Sequence, residues 1–397
     1  MTTRTVRGRR PHRLAAFTAA AALALSAASA AAAKAPAALV TLHTEVHQAG
    51  KPFPRFVVDA AWPDVPADLI LGQVSGVSVD ADDVVWLVNR PGSLDATETG
   101  PLQNPPIADC CRPAPPVVRF AQDGTYLGGW GGPDTGPMLD GVNQWPTSVH
   151  GIYVDADRTV WIGGNGDDDH VVLNFTADGE FIRAIGRRQQ HGGNTDTETL
   201  GRPADVFHGN GQILIADGYS NRRLIRFAAA DGAFDGYWGA YAEPPVALAA
   251  DPGGRYDPAS RHFADIVHCV VTTDDGHVYV CDRRNNRAQL FRQDADGGLS
   301  FVRDIVVSPE SGATGTVTDI ALSPDGRFVY VAEMVNSRIW ILDRKTHEPV
   351  AAIGRIGRQA GQFTWLHSID VDGDGNLYAT EVFTGRRAQK LVLTGIR

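Results

Sequence analysis

The chain has 397 residues, with 36 lysines and arginines against 46 aspartates and glutamates and a formal net charge of −10. This acidic balance argues against nucleic acids and anionic lipid surfaces as partners, because both attract basic proteins. The four cysteines have no CxxC spacing, which argues against a zinc ribbon.

Residues 1–33 have the layout of a secretory signal peptide. Five arginines precede an apolar, alanine-rich run that ends at Ala33. The pair Arg9-Arg10 leaves twin-arginine export open beside the general secretory route, since the residues after it are not the usual continuation. No later segment approaches the roughly 20 apolar residues of a membrane-spanning helix. We therefore expect a periplasmic or secreted protein with no membrane segment after cleavage of the signal.

One pattern of apolar strand, turn, second strand and third strand occurs six times. Successive copies are 75, 54, 64, 50 and 49 residues apart. A period near 50 with about four short strands is typical of one propeller blade, and closing the ring removes open sheet edges. The sequence therefore predicts an all-β, six-bladed β-propeller over residues 66–397, with residues 34–65 as an N-terminal extension that leads into the ring. The copies begin at Val74, Val149, Pro203, Val267, Val317 and Leu366.

An acidic residue and an arginine recur around the third strand of several copies, and there the pattern resembles the NHL repeat. In that repeat family the two side chains usually stabilise the blade, so we interpret them as structural ion pairs rather than site residues. The clearest instances are Asp217 with Asn221-Arg222-Arg223, Asp282 with Asn286-Arg287, and Glu333 with Ser337-Arg338.

The two longest intervals between strands are rich in proline, glycine and aspartate. Residues 91–119 and 228–262 are predicted to be loops on one face of the propeller, the usual place for a lid or a specificity element.

The cysteines allow two predictions. Cys269 and Cys281 flank a turn in a register that places them nearly opposite each other, which favours a disulfide in an exported protein. Cys110 and Cys111 are neighbours in a proline-rich loop, and the sequence leaves open whether they are bonded or free.

Histidine occupies one fixed place in every second repeat. Positions two blades apart in a six-bladed ring lie about 120° apart around the axis, so three imidazoles would face one point. Three neutral nitrogens with an open fourth position are typical of a catalytic zinc, although iron, copper and nickel also accept imidazole. The alternative is that each histidine only fills the channel and bonds a carbonyl group. In chain order the six residues at this place are Ser75, His150, Ala204, His268, Thr318 and His367.

Several motifs resemble, in order, the peptidyl-α-hydroxyglycine α-amidating lyases, themselves six-bladed propellers of this repeat type. The similarity covers most of the chain after the leader. The matching motifs are Gly72-Gln73-Val74-Ser75-Gly76-Val77, Arg90, His150-Gly151, Ala216-Asp217-Gly218-Tyr219-Ser220-Asn221-Arg222, Val267-His268, Cys281-Asp282-Arg283 and His367.

The resemblance implies a role for each matching side chain. His150, His268 and His367 would bind zinc, Tyr219 would act as the base and Arg90 would help to hold the substrate. The implied reaction cleaves the C–N bond of an α-hydroxyglycine at a peptide end, or of a similar small carbinolamide. A metal can activate the hydroxyl group, and a phenolate near a cation can take its proton.

The chain also departs from that family. The family's third histidine is followed by an aspartate that helps to bind a structural calcium, whereas this chain has Ser368. A calcium ion at the backbone of Val77 and Ile152 is therefore doubtful. A methionine near that histidine is replaced by Trp365, which changes the wall of the predicted pocket.

Two other classes of protein remain. The chain could be a non-enzymatic propeller that binds a protein, peptide or glycan through its loop face. It could also be a calcium-dependent hydrolase of the lactonase-like propellers, but those rely on carboxylate and asparagine ligands at the axis, so three histidines argue against this class.

Overall fold

The computed structural model describes residues 38–247, 256–295, 297–312 and 314–397, and the predicted signal peptide lies outside them. Within these segments the strands form six antiparallel sheets, one for each predicted blade. The first strand of each sheet contacts that of the next sheet, and the sixth contacts the first, so the sheets form a closed ring. The predicted six-bladed β-propeller is confirmed.

Each blade is a meander whose strands follow one another outward from the axis. Blade 1 contains Gln73–Val79, Val85–Arg90, Val117–Phe120 and Tyr126–Trp130; blade 2 contains Val149–Val154, Val160–Gly164, Val171–Phe175 and Phe181–Gly186; blade 3 contains Asp205–Gly209, Gln212–Asp217, Arg223–Ala228 and Phe234–Trp238; blade 4 contains Val267–Thr272, His277–Asp282, Arg287–Gln293 and Leu299–Val306; blade 5 contains Val317–Leu322, Phe328–Glu333, Arg338–Asp343, Pro349–Ile353 and Thr44–Val46; blade 6 contains Leu366–Val371, Leu377–Glu381, Arg387–Ile396, Pro54–Asp59 and Leu39–Thr41.

Short elements decorate the loops between blades. The described residues include two small ribbons, Leu69–Ile70 with Arg112–Pro113 and Met138–Leu139 with Val142–Asn143, and the 3-10 helices Pro91–Ser93, Gly100–Leu102, Pro133–Thr135, Ala240–Ala242 and Arg283–Asn285.

The hairpin turns explain why the strands stay short. In the first turn of blade 6, the Asp372 carboxylate accepts hydrogen bonds from the backbone N–H of Asn376 at 2.8 Å and from its side-chain amide. Gly375 in the same turn has a φ of +83°, a conformation that glycine adopts without strain. Aspartate and glycine thus fix the reversal, as is typical of such turns.

The hydrophobic core is divided into wedges between neighbouring blades. Six clusters of buried side chains in the described segments each join two adjacent sheets. Trp86 of blade 1, for example, packs in the cluster that faces blade 2. Each middle strand is buried on both faces, which explains the continuous apolar runs of the sequence.

The N-terminal segment belongs to the ring. Pro54–Asp59 pairs with Arg387–Ile396 and becomes the fourth strand of blade 6, while Thr44–Val46 adds to the edge of blade 5. The prediction that residues 34–65 only lead into the ring is wrong for these strands. Pairing the N-terminal strand with the last strand of the chain joins the two ends of the ring by backbone hydrogen bonds, and no local sequence pattern reveals that partner.

The interval 228–262 is only partly a loop, contrary to prediction. Phe234–Trp238 within it forms the outer strand of blade 3. None of its five residues is buried, and Asp235 and Gly236 interrupt the apolar residues, which explains why the segment resembles a loop in the sequence.

The acidic residues and arginines of the repeat form the predicted structural ion pairs. Arg223 donates through Nε to Asp217 at 2.8 Å, and both side chains are fully buried. The equivalent pairs of blades 4 and 5 join Asp282 to Arg287 and Glu333 to Arg338, each at 2.8 Å. These arginines tie the strands of one blade together and do not face the axis.

Both pairs of cysteines are disulfide-bonded. Cys269 and Cys281 bridge adjacent strands of blade 4, as predicted, and Cys110 is bonded to Cys111 in the loop of blade 1. In the segments that the structure describes, we find no helix with the length and hydropathy needed to cross a bilayer.

Candidate metal centre

The three predicted histidines meet on the propeller axis. His150, His268 and His367 are almost completely buried, and their ring centroids are 4.7–4.9 Å apart. One ring nitrogen from each lies within 4.8 Å of the other two. The three histidines occur in every second blade, and these three blades are spaced evenly around the ring. Their side chains therefore converge on the axis.

Each histidine is oriented by a backbone carbonyl oxygen of the next blade. Nδ1 of His150 lies 2.7 Å from the carbonyl oxygen of Ala204. Nδ1 of His268 and of His367 make the same contact at 2.6 Å with Thr318 and Ser75. A carbonyl oxygen only accepts, so Nδ1 carries the proton and Nε2 presents a lone pair to the axis. This is the usual outer hydrogen bond of a metal-binding imidazole.

The electrostatic environment keeps these imidazoles neutral. Burial, followed by the charges of Arg90 and Arg283, lowers the pKa of His367 to about 3. Burial and the neighbouring histidines hold the pKa of His150 and of His268 well below its usual value. Neutral imidazole is the form that binds a metal.

The donor set therefore fits a divalent transition metal. Nε2 of His268 is buried with no hydrogen-bond partner, a costly arrangement unless a ligand binds there. Across the described ranges, no carboxylate or thiolate joins the three histidines as a fourth ligand. His150, His268 and His367 would hold zinc, or another metal that accepts imidazole, with an open position.

Tyr219 lies against the three-histidine centre. Its hydroxyl group lies 2.8 Å from Nε2 of His150, and its ring is 6.0 Å from that of His268. Gly218 permits this placement, because a Cβ atom there would lie 1.9 Å from the carbonyl oxygen of Val267. Glycine thus brings the end of a blade 3 strand against blade 4 and places the next side chain, Tyr219, over the metal centre.

Arg90 is held rigidly at the edge of the centre. Its guanidinium group donates to the carbonyl oxygen of Val149 at 2.8 Å, and to the side chains of Gln73 and Asn165 at 3.2 Å each. These acceptors are all neutral, and no carboxylate forms an ion pair with Arg90 among residues the structure describes. The arginine therefore brings a positive charge without an ion-pair partner close to Tyr219.

A second arginine, Arg283, was not assigned from the sequence. It is buried, its Nε has no partner, and one Nη donates to the carbonyl oxygen of Thr314 at 3.3 Å. Burial lowers its guanidinium pKa, whereas the contact with Tyr219 raises it. Within the described part of the chain it also lacks a carboxylate ion pair.

The repeat register could have revealed Arg283. Val74 pairs with Asn89 in blade 1 and Val267 pairs with Asp282 in blade 4. Arg283 therefore occupies in blade 4 the place that Arg90 holds in blade 1. Aligning the ends of the second strands, as well as the starts of the first, would have found it.

A second layer of polar groups lies farther along the same channel. Three aspartates line it from blades 3, 5 and 6, and each accepts hydrogen bonds from the backbone of the next blade; we call Asp205, Asp319 and Asp370 the carboxylate layer, and the three histidines the histidine layer. The channel that both layers line has a volume of about 260 Å³. Asp319 accepts from N–H of Ile369 at 2.9 Å, and Asp370 accepts from N–H of Val79.

Ser368 takes part in this bonding. Its hydroxyl donates to Asp319 at 2.7 Å and accepts from N–H of Val77 at 3.3 Å.

Fold and site together define a six-bladed β-propeller with a three-histidine centre on its axis. A family model described as "Lactonase, 7-bladed beta-propeller" matches residues 259–373. The ring formed by the described residues has six blades. The match therefore concerns the repeat and not the number of blades in the description.

The similar proteins include two groups that are relevant here. NHL repeat-containing protein 3 of Homo sapiens is 24% identical over 84% of this chain and 83% of its own length. Peptidyl-glycine alpha-amidating monooxygenase B of Xenopus laevis is 28% identical over 59% of this chain, which spans 24% of that longer protein.

Among solved structures, a gluconolactonase of Xanthomonas campestris aligns with a TM-score of 0.52 at 14% identity, covering 90% of this chain and 99% of that one. This likeness supports the propeller fold alone.

Proposed function

We propose that the protein is a metal-dependent carbon–nitrogen lyase that splits an N-acylated α-hydroxyglycine, or a similar carbinolamide, into an amide and glyoxylate. One observation carries the proposal: three neutral imidazole nitrogens converge beside the Tyr219 hydroxyl, and the guanidinium groups of Arg90 and Arg283 both interact with that tyrosine. The similarity to the amidating monooxygenase supports this reaction class.

The buried positive charges match an anionic substrate. Arg90 and Arg283 lie on opposite sides of the ring, and neither has a carboxylate partner in the described segments. A substrate carboxylate would supply the missing negative charge, with Arg283 offering the unpartnered Nε. Both arginines also interact with Tyr219, the side chain proposed as the base.

A divalent metal, when bound, would act as a Lewis acid that makes the substrate hydroxyl more acidic. Tyr219 is placed to take the hydroxyl proton as that group becomes the aldehyde of glyoxylate. The C–N bond then breaks with its electron pair on nitrogen, and Tyr219 returns the proton there to complete the amide. The reaction needs no oxidant and no water.

The first test is metal content together with turnover of N-benzoyl-α-hydroxyglycine, measured as glyoxylate release. We expect about one transition-metal ion per chain, lost when His150, His268 and His367 are all replaced by alanine. His43→Ala is the matched control, because the side chain of that histidine is exposed and contacts Glu45 rather than the axial histidines. Loss of metal on chelation should abolish glyoxylate release, and reloading should restore it.

The same assay decides among the alternatives. Lack of metal in the wild-type protein, even after reloading, would overturn the lyase and favour a propeller that binds a protein, peptide or glycan. The lactonase match at residues 259–373 makes lactone hydrolysis a second candidate. Turnover of gluconolactone without glyoxylate release from N-benzoyl-α-hydroxyglycine would favour it.

We also propose that the protein acts outside the cytoplasm, on a small molecule or a peptide end. The signal-like leader and the Cys269–Cys281 disulfide support an oxidising compartment. Recovery of the uncleaved chain in the cytoplasm, with both cysteines reduced, would contradict this localisation.

A further inference from the structure

A second cavity, of about 720 Å³, opens beside the metal centre between blades 1 and 2. Two loops specific to this part of the ring, around residues 91–116 and 131–148, form its walls. We call it the blade 1–2 cavity. Its lining includes Arg90, Gly92, Pro116, Trp145, Pro146 and Val149.

The cavity offers apolar surface and little free charge. Trp145, Pro116 and Pro146 are buried wall residues. The one other cation on the wall, Arg188, lies 3.3 Å from the buried carboxylate of Asp169 and is neutralised by it. Among the described residues the lining contains no carboxylate, so a cationic ligand group would lose its water there without gaining an ion pair, whereas an apolar group would gain by burial.

The polar groups on the wall are already occupied by the protein. The Asn143 side chain donates to the carbonyl oxygen of Pro133 and accepts from N–H of Trp145. The Ser93 hydroxyl donates to the carbonyl oxygen of Arg90 and accepts from N–H of Gln73. Rigid proline and tryptophan surface, rather than free hydrogen-bonding groups, is therefore what the cavity presents.

The cavity and the metal centre are linked through neighbouring residues. Arg90, which the proposed function places against the substrate, lines the cavity. Val149, another wall residue, accepts from Nε of Arg90 and immediately precedes His150. A molecule that reacts at the histidines can thus extend past Arg90 into the blade 1–2 cavity.

We propose that the blade 1–2 cavity is the acyl subsite of the enzyme and selects a bulky apolar residue, aromatic or branched, next to the α-hydroxyglycine. This inference rests on the proposed lyase function. In such a substrate the acyl group is attached through the nitrogen of the bond that breaks. With the hydroxyl group at the histidines and the carboxylate at the arginines, the acyl group is the remaining arm, and this cavity receives it.

The test fills the cavity with a new side chain. Gly92 lies at the cavity, is exposed, and a Cβ atom built there meets no other atom within 4 Å. The variant Gly92→Trp should therefore fold and narrow the subsite. Ala96→Trp is the matched control, because it adds the same side chain to an exposed position of the same loop that does not line the cavity.

Two substrates report on the subsite: N-acetyl-phenylalanyl-α-hydroxyglycine and N-acetyl-α-hydroxyglycine. We expect wild-type kcat/KM to favour the phenylalanyl substrate by roughly 10-fold or more, and Gly92→Trp to remove most of that ratio. A lysyl analogue should gain nothing over the acetyl one, because the described lining offers no carboxylate. Equal losses for both substrates in Gly92→Trp, or the same change in Ala96→Trp, would overturn the subsite.

Calorimetric titration with N-acetyl-phenylalanylglycine, which lacks the reactive hydroxyl, separates the two proposals. If no substrate turns over but this compound binds and Gly92→Trp weakens binding roughly 10-fold, the subsite holds and the lyase fails. If substrates turn over without preference for phenylalanine, the lyase holds and the subsite fails. If the compound does not bind and no substrate reacts, both fail.

Discussion

The histidine layer and the carboxylate layer lie in one channel, but their buried polar atoms differ in their hydrogen-bond partners. Each histidine uses Nδ1 on a neighbouring carbonyl and leaves Nε2 toward the axis, with that of His268 unpartnered. Each aspartate instead accepts from backbone N–H groups of the next blade, as Asp319 does from Ile369. The first layer is built to receive a ligand, and the second to hold neighbouring blades together.

The two layers differ because imidazole and carboxylate groups bond to different backbone groups. A strand edge that faces the channel presents both carbonyl oxygens and N–H groups. Imidazole uses the carbonyl oxygen and keeps a free lone pair, whereas a carboxylate uses the N–H groups and keeps little free capacity. Function and stability can thus be assigned to separate layers, and the following predictions test that separation.

The largest effect is expected from a single histidine. His268→Ala should reduce metal affinity by more than the roughly 10–100-fold that loss of an outer hydrogen-bond partner costs, because a ligand itself is lost. Elemental analysis and calorimetric metal titration measure it, with His43→Ala as control. Full metal occupancy in His268→Ala would show that the histidine layer has a structural role and does not bind the metal.

Removal of the Tyr219 hydroxyl should lower kcat without removing the metal. We expect Tyr219→Phe to lose roughly 10²–10⁴-fold in glyoxylate release, the usual contribution of a general base. Tyr237→Phe, in the outer strand of the same blade, is the matched control. A normal rate in Tyr219→Phe would require another base.

The carboxylate layer should affect stability alone. Asp319→Ala leaves the Ile369 N–H and the Ser368 hydroxyl without their acceptor and should lower the free energy of unfolding by about 1–3 kcal/mol. Urea denaturation at pH 5 is the suitable measurement, because burial raises the pKa of Asp319 to about 6 and removal of a buried charge then contributes little. If Asp319→Ala lost metal binding but kept the wild-type free energy of unfolding, the assignment of stability alone to the carboxylate layer would be contradicted.

The smallest expected effect is a pH dependence in which the layers oppose each other. Burial lowers the pKa of the histidines, so below pH about 6.5 the metal-free folded state binds fewer protons than the unfolded chain, and stability falls with falling pH. Burial raises the pKa of Asp370 to about 7, so between pH about 4 and 7 the folded state binds more protons, and stability falls with rising pH.

These opposite slopes can be separated by mutation. In metal-free Asp370→Asn, unfolding free energy should rise more steeply from pH 4.5 to 6.5 than in the wild-type protein, because one opposing contribution is gone. Denaturation curves at several pH values measure the slope, and Asp134→Asn on an exposed loop is the control. An unchanged slope would mean that Asp370 titrates alike in both states.

Most of the candidate site could be predicted from repeat positions. His150, His268 and His367 share one place in the repeat, and equal places in a closed ring converge by symmetry. Tyr219 and Arg90 followed from resemblance to the related lyases. Arg283 belongs to a motif shared with those lyases but received no role from the sequence, although it occupies the same repeat position as Arg90.

The number of repeats and the spacing of histidines in the sequence by themselves determined the propeller and its three-fold axial centre, because both depend on short-range patterns that recur. Only the tertiary structure decided which imidazole nitrogen faces the axis, that strand 54–59 completes blade 6, and that two loops form a cavity beside Arg90. Those features depend on contacts between residues far apart in the chain, with energies set by partners that no local pattern identifies.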